Sequence, residues 1–256
     1  MIIYWRVSEN QDTNSFTARW ENKDKKELLR KCWVSLQQSV SSEDRIFILW
    51  DKVRPVTIDW LVKTSKTSNI TVKHCPIYPL DIAIEKELGS VMDKRKNHFL
   101  SLVHIVEEHI KQYPDDIHYV CEDDYLHVPH SLDIIKSVFE DGWNGFVVPY
   151  DYPDRYYLDR TRNCELLLNK YSHWRTVPSS TATTSALGKT WQQFIHLIKQ
   201  NAIYNSDSFS WEIFSKVGCL APIPGLSTHL TNGCLTPRID WKNIYECTDI
   251  GADSWQ

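Results

Sequence analysis

Three consecutive carboxylates stand near the middle of the chain, where Glu122, Asp123 and Asp124 directly follow an apolar run at residues 117–121. The run has the composition of a buried strand, and in open α/β sheets ligands bind beyond the carboxyl ends of the strands. Adjacent carboxylates repel one another, and a divalent cation is the natural group to offset them. Mg²⁺ or Mn²⁺ is usually held by one or two carboxylates together with substrate phosphates. The pattern predicts a metal site, and a solvated acidic turn is the alternative.

Asp207 stands directly before a helical stretch at residues 208–217. A carboxylate there is either a base that takes a proton from a substrate hydroxyl or the N-cap of the helix. Trp211 lies one turn later on the same face. Its ring either stacks on a sugar acceptor or packs in the core.

Histidines supply the other candidate ligands. His229 lies in a segment punctuated by proline and glycine, and a neutral imidazole is a good metal ligand near pH 7. A surface loop histidine is the alternative. His127 and His130 follow the three acids, but even with Cys121 they fall short of a four-coordinate zinc site.

Arginines and tyrosines alternate between residues 151 and 162, where Arg155, Arg160 and Arg162 lie. Such a segment could grip a nucleic acid backbone, line a sugar acceptor site or form an ion-paired surface loop. We take Arg155 as a candidate acceptor-binding residue.

The composition excludes several classes of protein. The chain has 256 residues, and its eight glycines fit neither the GxGxxG dinucleotide fingerprint nor the GxxxxGK[ST] phosphate loop. The net charge of −4 gives no overall attraction for nucleic acid. No apolar run reaches the roughly 18–20 residues of a membrane span. The start does not resemble a signal peptide, and seven cysteines without a CxxC pair suggest a reducing compartment, so we expect a cytoplasmic protein.

Alternating strand and helix patterns must position these residues. Asp24 and Glu27 have the spacing of a capping box at the first helix. The patterns predict an α/β fold with a mostly parallel sheet and helices on both faces, in one domain over 1–256, with a mixed second half and a tail from Cys219 that is mostly loop. The predicted strands are 2–7, 45–50, 70–75, 117–121, 145–150, 166–168 and 181–187, and the predicted helices are 24–40, 56–63, 89–112, 132–139, 190–200 and 208–217.

The acidic motif at the strand end resembles that of GT-A-fold glycosyltransferases, most closely the inverting enzymes related to glycosyltransferase family 2. In that family a DxD-type motif ends the central strand, and the Glu122–Asp124 triplet matches its EDD variant. The resemblance implies that Asp124 binds Mn²⁺ or Mg²⁺ bridging the diphosphate of a nucleotide sugar. It further implies that Glu122 and Asp123 contact the ribose or a metal-bound water.

Further matches extend over most of the chain. The resemblance implies that Asp207 is the catalytic base and that His229 completes the metal site. It implies a nucleotide-sugar-binding half over 1–125 and an acceptor-binding half over 126–256. The other nucleotide-sugar-binding residues that it implies are Trp5, Arg6, Asp51, Lys94, Arg95 and Asn97, although the family usually opens with a Pro-Thr-Tyr-Asn-like turn that this chain lacks.

The resemblance therefore implies a metal-dependent glycosyltransferase that acts with inversion. The acceptor stays open between a glycan, a lipid-linked sugar, a protein and a hydroxymethylated DNA base. Compact transferases without membrane segments occur in phages and large viruses, so a viral type in a host cytoplasm is one expectation. A nucleotidyltransferase acting on sugar phosphates and a non-catalytic carbohydrate-binding module are the alternatives.

Overall fold

The computed structural model describes residues 1–9, 19–75, 95–157, 163–180, 183–204 and 208–251. They form a mixed α/β fold, and no helix in these ranges is long and apolar enough to cross a membrane. The strands are β1 (Ile2–Val7), β2 (Arg45–Trp50), β3 (Ile70–His74), β4 (Ile117–Glu122), β5 (Tyr125–His127), β6 (Phe146–Val147), β7 (Leu166–Leu168), β8 (His173–Thr176), β9 (Thr184–Leu187), β10 (Cys219–Ile223) and β11 (Ser227–His229).

The described residues place nine of these strands in one sheet, in the order β3-β2-β1-β4-β9-β6-β10-β8-β7, and pair β5 with β11 in a second, small sheet. Parallel pairs join β1 to β2 and β4, β2 to β3, and β6 to β10. β9 runs antiparallel between β4 and β6, and β8 runs antiparallel between β10 and β7. Seven of the nine strands therefore run in one direction, which confirms the α/β class and is consistent with a GT-A arrangement.

Helices cover both faces of the large sheet. Along β1, Ile3 and Trp5 point toward one face and pack with residues of α1, α2 and α4, whereas Ile2 and Tyr4 point toward the other face, where α3, α5 and α6 pack. The continuous apolar pattern of β1 follows from this burial on both sides. The helices are α1 (Lys25–Gln37), α2 (Pro55–Lys63), α3 (Arg95–Gln112), α4 (Ser131–Glu140), α5 (Gly188–Tyr204), α6 (Ser208–Val217) and α7 (Trp241–Cys247).

Local signals set several element boundaries as predicted. Asp24 caps α1, since its carboxylate accepts from the backbone N–H groups of Lys26 at 2.9 Å and Glu27 at 3.3 Å. The predicted strand at 45–50 coincides with β2, and the predicted helix at 208–217 coincides with α6. The predicted helix at 89–112 is described from Arg95 onward, and its first six residues lie outside the described ranges.

Within the described residues, the tail from Cys219 contains regular elements that the sequence patterns did not predict. The chain after residue 218 contains β10, β11 and α7. Pro222 lies within β10 without disrupting the sheet, because β6 pairs only with Cys219 and Leu220. A third apolar cluster holds the tail against α1, and its members are Trp20, Leu28, Cys32, Leu126, Leu230, Trp241 and Tyr245.

We expect the free energy of unfolding to fall as the pH drops from about 6.5 to 4, because two buried histidines are neutral in the fold. His127 donates from Nδ1 to the Tyr125 carbonyl at 3.1 Å and accepts from the Tyr119 hydroxyl at 2.7 Å, and burial lowers its pKa to about 4. Burial also lowers the pKa of His118 to about 4. The unfolded chain takes up these protons near pH 6.5 and the folded chain does not, so stability is complete above pH 6.5.

Urea unfolding at pH 7.5 and 5.0 measures this effect. His127 accounts for a loss of roughly 2 kcal/mol over that interval. His127→Gln should unfold more easily at pH 7.5 but lose about 2 kcal/mol less than the wild type on acidification. An equal loss in both proteins would show that His127 does not carry the effect.

Candidate functional site

The three carboxylates lie at the edge of the sheet where the parallel strands end. β1 and β4 are in register there, so that Arg6 lies opposite Glu122, and the Arg6 guanidinium donates to Glu122 Oε1. About a third of the Arg6 side chain and a fifth of the Glu122 side chain are exposed. Burial alone raises the pKa of Glu122, Arg6 lowers it, and Asp124 raises it; the pKa lies above its ordinary value. Glu122 is thus ion-paired with Arg6 of the neighbouring strand.

Asp123 is held by the chain itself. Its Oδ1 accepts from the Lys25 ammonium at 2.6 Å, and its Oδ2 accepts from the backbone N–H of Ser8 at 2.9 Å. Lys25 lies in the first turn of α1, and both Lys25 and Asp123 are buried. Both carboxylate oxygens of Asp123 are therefore engaged by groups of the chain itself rather than left open for the ribose or metal-bound water contact that the resemblance implies.

Asp124 faces His229, which stands 105 residues later in the chain. The small sheet joins them: β5 and β11 pair so that Tyr125 lies opposite His229, and the Leu230 N–H donates to the Asp124 carbonyl at 2.9 Å. The His229 ring stacks on Tyr125, with centroids 5.1 Å apart and planes 9° apart. His229 Nε2 then lies 3.1 Å from Asp124 Oδ2.

The other oxygen of Asp124 is unsatisfied. Asp124 Oδ1 is buried and has no hydrogen-bond partner in the described part of the chain. Burial alone raises the pKa of Asp124, but the charge and hydrogen bond of His229, followed by Lys25 and Arg6, outweigh it and leave the pKa below its ordinary value. Burial likewise lowers the pKa of His229, and Asp124 outweighs it, so that pKa is raised. An ionised carboxylate with a free buried oxygen is poised for a ligand.

Each acid therefore has one cation from the chain: Arg6, Lys25 and His229 supply part of the charge compensation that the sequence assigned to a metal. Among the described residues, no group of three or more His, Cys, Asp or Glu side chains is arranged to hold a metal ion. Asp124 and His229 nevertheless place a carboxylate oxygen and an imidazole nitrogen side by side, and the nitrogen becomes a metal ligand when His229 loses its proton.

No family model matches this chain, and no curated protein matches it. Several solved structures do match it, at low similarity. Galactosyltransferase LgtC, in complex with donor and acceptor sugar analogs, has 10% identity and a TM-score of 0.40 over 85% of this chain and 66% of its own. Mouse xyloside xylosyltransferase 1 has 10% identity and a TM-score of 0.45, over 83% of this chain and 79% of its own.

A Bacillus anthracis protein assigned as a glucose-1-phosphate thymidylyltransferase, in complex with sucrose, has 11% identity and a TM-score of 0.47 over 98% of this chain and 96% of its own. Of the galactosyltransferase LgtC, in contrast, this chain spans slightly less than two thirds of the length. At these identities and TM-scores the likeness assigns no role to any residue.

The residues predicted to bind the nucleotide sugar differ in where the structure places them. Arg6 reaches the site edge. Trp5 is 0% exposed and packs against Trp33 with centroids 4.6 Å apart and planes tilted by 46°, so Trp5 belongs to the core and offers no ring surface to a nucleotide. Asp51 follows β2 at the same edge, where one of its oxygens lies 3.6 Å from His74 Nε2. Lys94 lies outside the described residues. Arg95 and Asn97 lie in the first turn of α3, and only their backbone is described.

The structure also separates the predicted acceptor residues. Arg155 is only 5% exposed, and its guanidinium donates to the carbonyls of Tyr150 at 3.3 Å and Ser179 at 2.8 Å, so it presents no surface to an acceptor. Trp211 is 42% exposed in the first turns of α6. Asp207 lies outside the described residues, directly before α6.

Two groups of the site were missed from the sequence. Lys25 falls on the apolar stripe of α1 with Leu29, Cys32 and Leu36, and a lysine on such a stripe is the signal that could have found it. The Ser8 contribution comes from its backbone N–H, for which the side chain gives no signal.

Proposed function

We propose that this chain transfers a sugar from a nucleotide-diphosphate sugar to an acceptor hydroxyl, with inversion and with Mn²⁺ or Mg²⁺ as cofactor. The observation that carries the proposal is the pair of Asp124 and His229 at the carboxyl edge of the sheet, where Asp124 Oδ1 is buried without a partner among the described residues. A solvated acidic turn would leave that oxygen in water. The EDD resemblance supports the assignment of donor chemistry to this edge.

The side chains of Asp124 and His229 fit a divalent cation that binds oxygen ligands and also accepts a nitrogen ligand. Asp124 supplies a carboxylate oxygen, and His229 supplies an imidazole nitrogen once it has given up the proton that it donates to Asp124. Mg²⁺ and Mn²⁺ sites of this class are completed by water and substrate phosphates. When bound, the cation supplies Lewis-acid stabilisation of the leaving diphosphate. Asp124 and His229 would hold it.

The chain's own residues would carry the remaining steps. Asp207 takes the proton of the acceptor hydroxyl, whose oxygen forms the new bond to the anomeric carbon. The bond from that carbon to the diphosphate breaks, and its electron pair leaves with the nucleoside diphosphate. One displacement of this kind inverts the anomeric centre. Arg6, held by Glu122, lies where it can face the negative charge of the leaving group.

The acceptor is proposed to be a carbohydrate or a protein-linked hydroxyl rather than DNA. The sequence offered one feature for DNA, the segment with Arg155, Arg160 and Arg162. Arg155 is buried, and Arg160 and Arg162 lie outside the described residues. Trp211 offers an exposed ring for a sugar face. A DNA acceptor would instead show binding that weakens steeply with salt.

A thermal-shift screen tests the donor assignment. At a hundred times its dissociation constant, the correct nucleotide diphosphate sugar with Mn²⁺ should raise the melting temperature by about 5–10 °C. The rise should vanish with EDTA, because the diphosphate and the protein share the cation. If no nucleotide diphosphate or nucleotide sugar raises the melting temperature in Mn²⁺, the proposal is wrong.

The same screen separates the alternatives. A nucleotidyltransferase should respond to a nucleoside triphosphate with a sugar 1-phosphate and should release pyrophosphate. A carbohydrate-binding module should respond to free sugars without metal or nucleotide.

A further inference from the structure

Lys25 is a lysine in the first turn of α1 whose side chain is buried, which is unusual for a charged residue. It follows the Asp24 cap, yet it points inward and is only 8% exposed, whereas the neighbouring Lys26 is exposed. A lysine is rarely buried to this extent unless it is paired. Its partner is Asp123, at 2.6 Å.

The charge of Lys25 is kept by the acids it faces. Burial alone lowers the pKa of Lys25, but the carboxylates of Asp123 and Asp124 raise it above its ordinary value, so the ammonium stays protonated. The Ser8 N–H occupies the other oxygen of Asp123. The pairing leaves Asp124 Oδ1 as the one carboxylate oxygen of Asp123 and Asp124 that has no partner in the described residues.

We propose that Lys25 is a positioning residue that ties Asp123 away from the bound cation and so confines that cation to Asp124 and His229. This inference rests on the proposed function for the identity of the cation. Lys25 also sets the net charge of the site, which must accept a divalent cation and a diphosphate anion together. A purely structural lysine would affect stability alone.

Lys25→Met separates the two roles by the sign of its effects. Removal of one positive charge near the site and release of Asp123 should tighten Mn²⁺ binding by about tenfold, and should weaken binding of a nucleoside diphosphate by a similar factor. Lys25→Arg keeps the charge and should stay within about threefold of the wild type for both ligands. Titration calorimetry with MnCl₂ alone, and then with uridine and guanosine diphosphates, measures each constant without turnover.

Lys31 gives a matched control on the same helix. It is also buried, and its ammonium donates to the Thr248 carbonyl rather than to an acid. Lys31→Met should lower the melting temperature as Lys25→Met does, but it should leave the Mn²⁺ constant unchanged.

The outcomes are separable from those of the proposed function. Weaker or unchanged Mn²⁺ binding in Lys25→Met, or the same change in Lys31→Met, overturns the role of Lys25, as does a lack of saturable Mn²⁺ binding in both Lys25→Met and the wild type. Mn²⁺ binding that appears only in Lys25→Met supports the role while contradicting metal dependence of the wild type. Hydrolysis of nucleotide sugars, assayed separately on the wild type, decides the proposed function.

Discussion

Asp124→Asn should lower metal-dependent turnover of the nucleotide sugar per folded molecule by about a thousandfold or more, in addition to the stability lost with its ion pair to His229. The substitution keeps the size of the side chain and the backbone bond from the Leu230 N–H to the residue 124 carbonyl. It removes the negative charge that the proposed cation needs and leaves His229 without its counter-ion. A loss of charge stabilisation at a reacting diphosphate is expressed in the rate of the chemical step. The measurement is hydrolysis or transfer of the donor with and without Mn²⁺, together with a Mn²⁺ titration.

A buried aspartate elsewhere in the fold, Asp44, controls for the general cost of removing an ion pair. Asp44 binds the Lys136 ammonium at 2.9 Å and lies 3.2 Å from the amino terminus, just before β2 and therefore at the opposite edge of the sheet. Asp44→Asn should cost about 3 kcal/mol of stability, because it leaves the buried amino terminus and the half-buried Lys136 without their counter-ion. Its turnover per folded molecule should match the wild type. Equal activity in Asp124→Asn and the wild type would remove Asp124 from the mechanism.

The pairing of Asp124 with His229 shows which parts of a site a sequence can reveal. The acids follow an apolar run, so their place at the end of a buried strand was readable from residues 117–124 alone. His229 was assigned to the metal from the family resemblance, yet the strand that carries it was not foreseen. A three-residue strand such as β11 gains its pairing from β5 and from the third apolar cluster, and a local pattern does not record such tertiary contacts.

Trp5 was misassigned although its sequence pattern shows that it is buried, whereas the role of Lys25 depends on tertiary contacts that the sequence does not show. Trp5 alternates with Ile3 and Val7, a pattern that places all three on one buried face, so period-two reasoning was sufficient to assign it to the core. Lys25 needed more: the helix stripe shows that it points inward, but only the packing of α1 against the sheet shows that Asp123 is what it meets. Arg155 is similar, since its burial depends on Ser179 and Tyr150 in separate segments.

Asp207→Asn should leave nucleotide-sugar binding intact and lower transfer to the acceptor by about a thousandfold or more. α6 begins at Ser208 and ends at Val217, one residue before β10 starts at the opposite edge of the sheet, so the helix start lies toward the acidic edge. Asp207 immediately precedes this start in the sequence. A base in that place would take the proton from the acceptor hydroxyl, whereas an asparagine cannot accept it.

The choice of asparagine separates the base from the helix cap. Asn caps helices about as well as Asp, so Asp207→Asn removes the base and preserves a cap. Asp207→Ala removes both and should lose a further 0.5–2 kcal/mol or so of stability. Donor binding by calorimetry, transfer rate and melting temperature measured on both variants give the answer. Transfer that survives in Asp207→Asn but falls in Asp207→Ala in proportion to stability would assign Asp207 to the cap, and the base of the reaction would then lie elsewhere at the acidic edge.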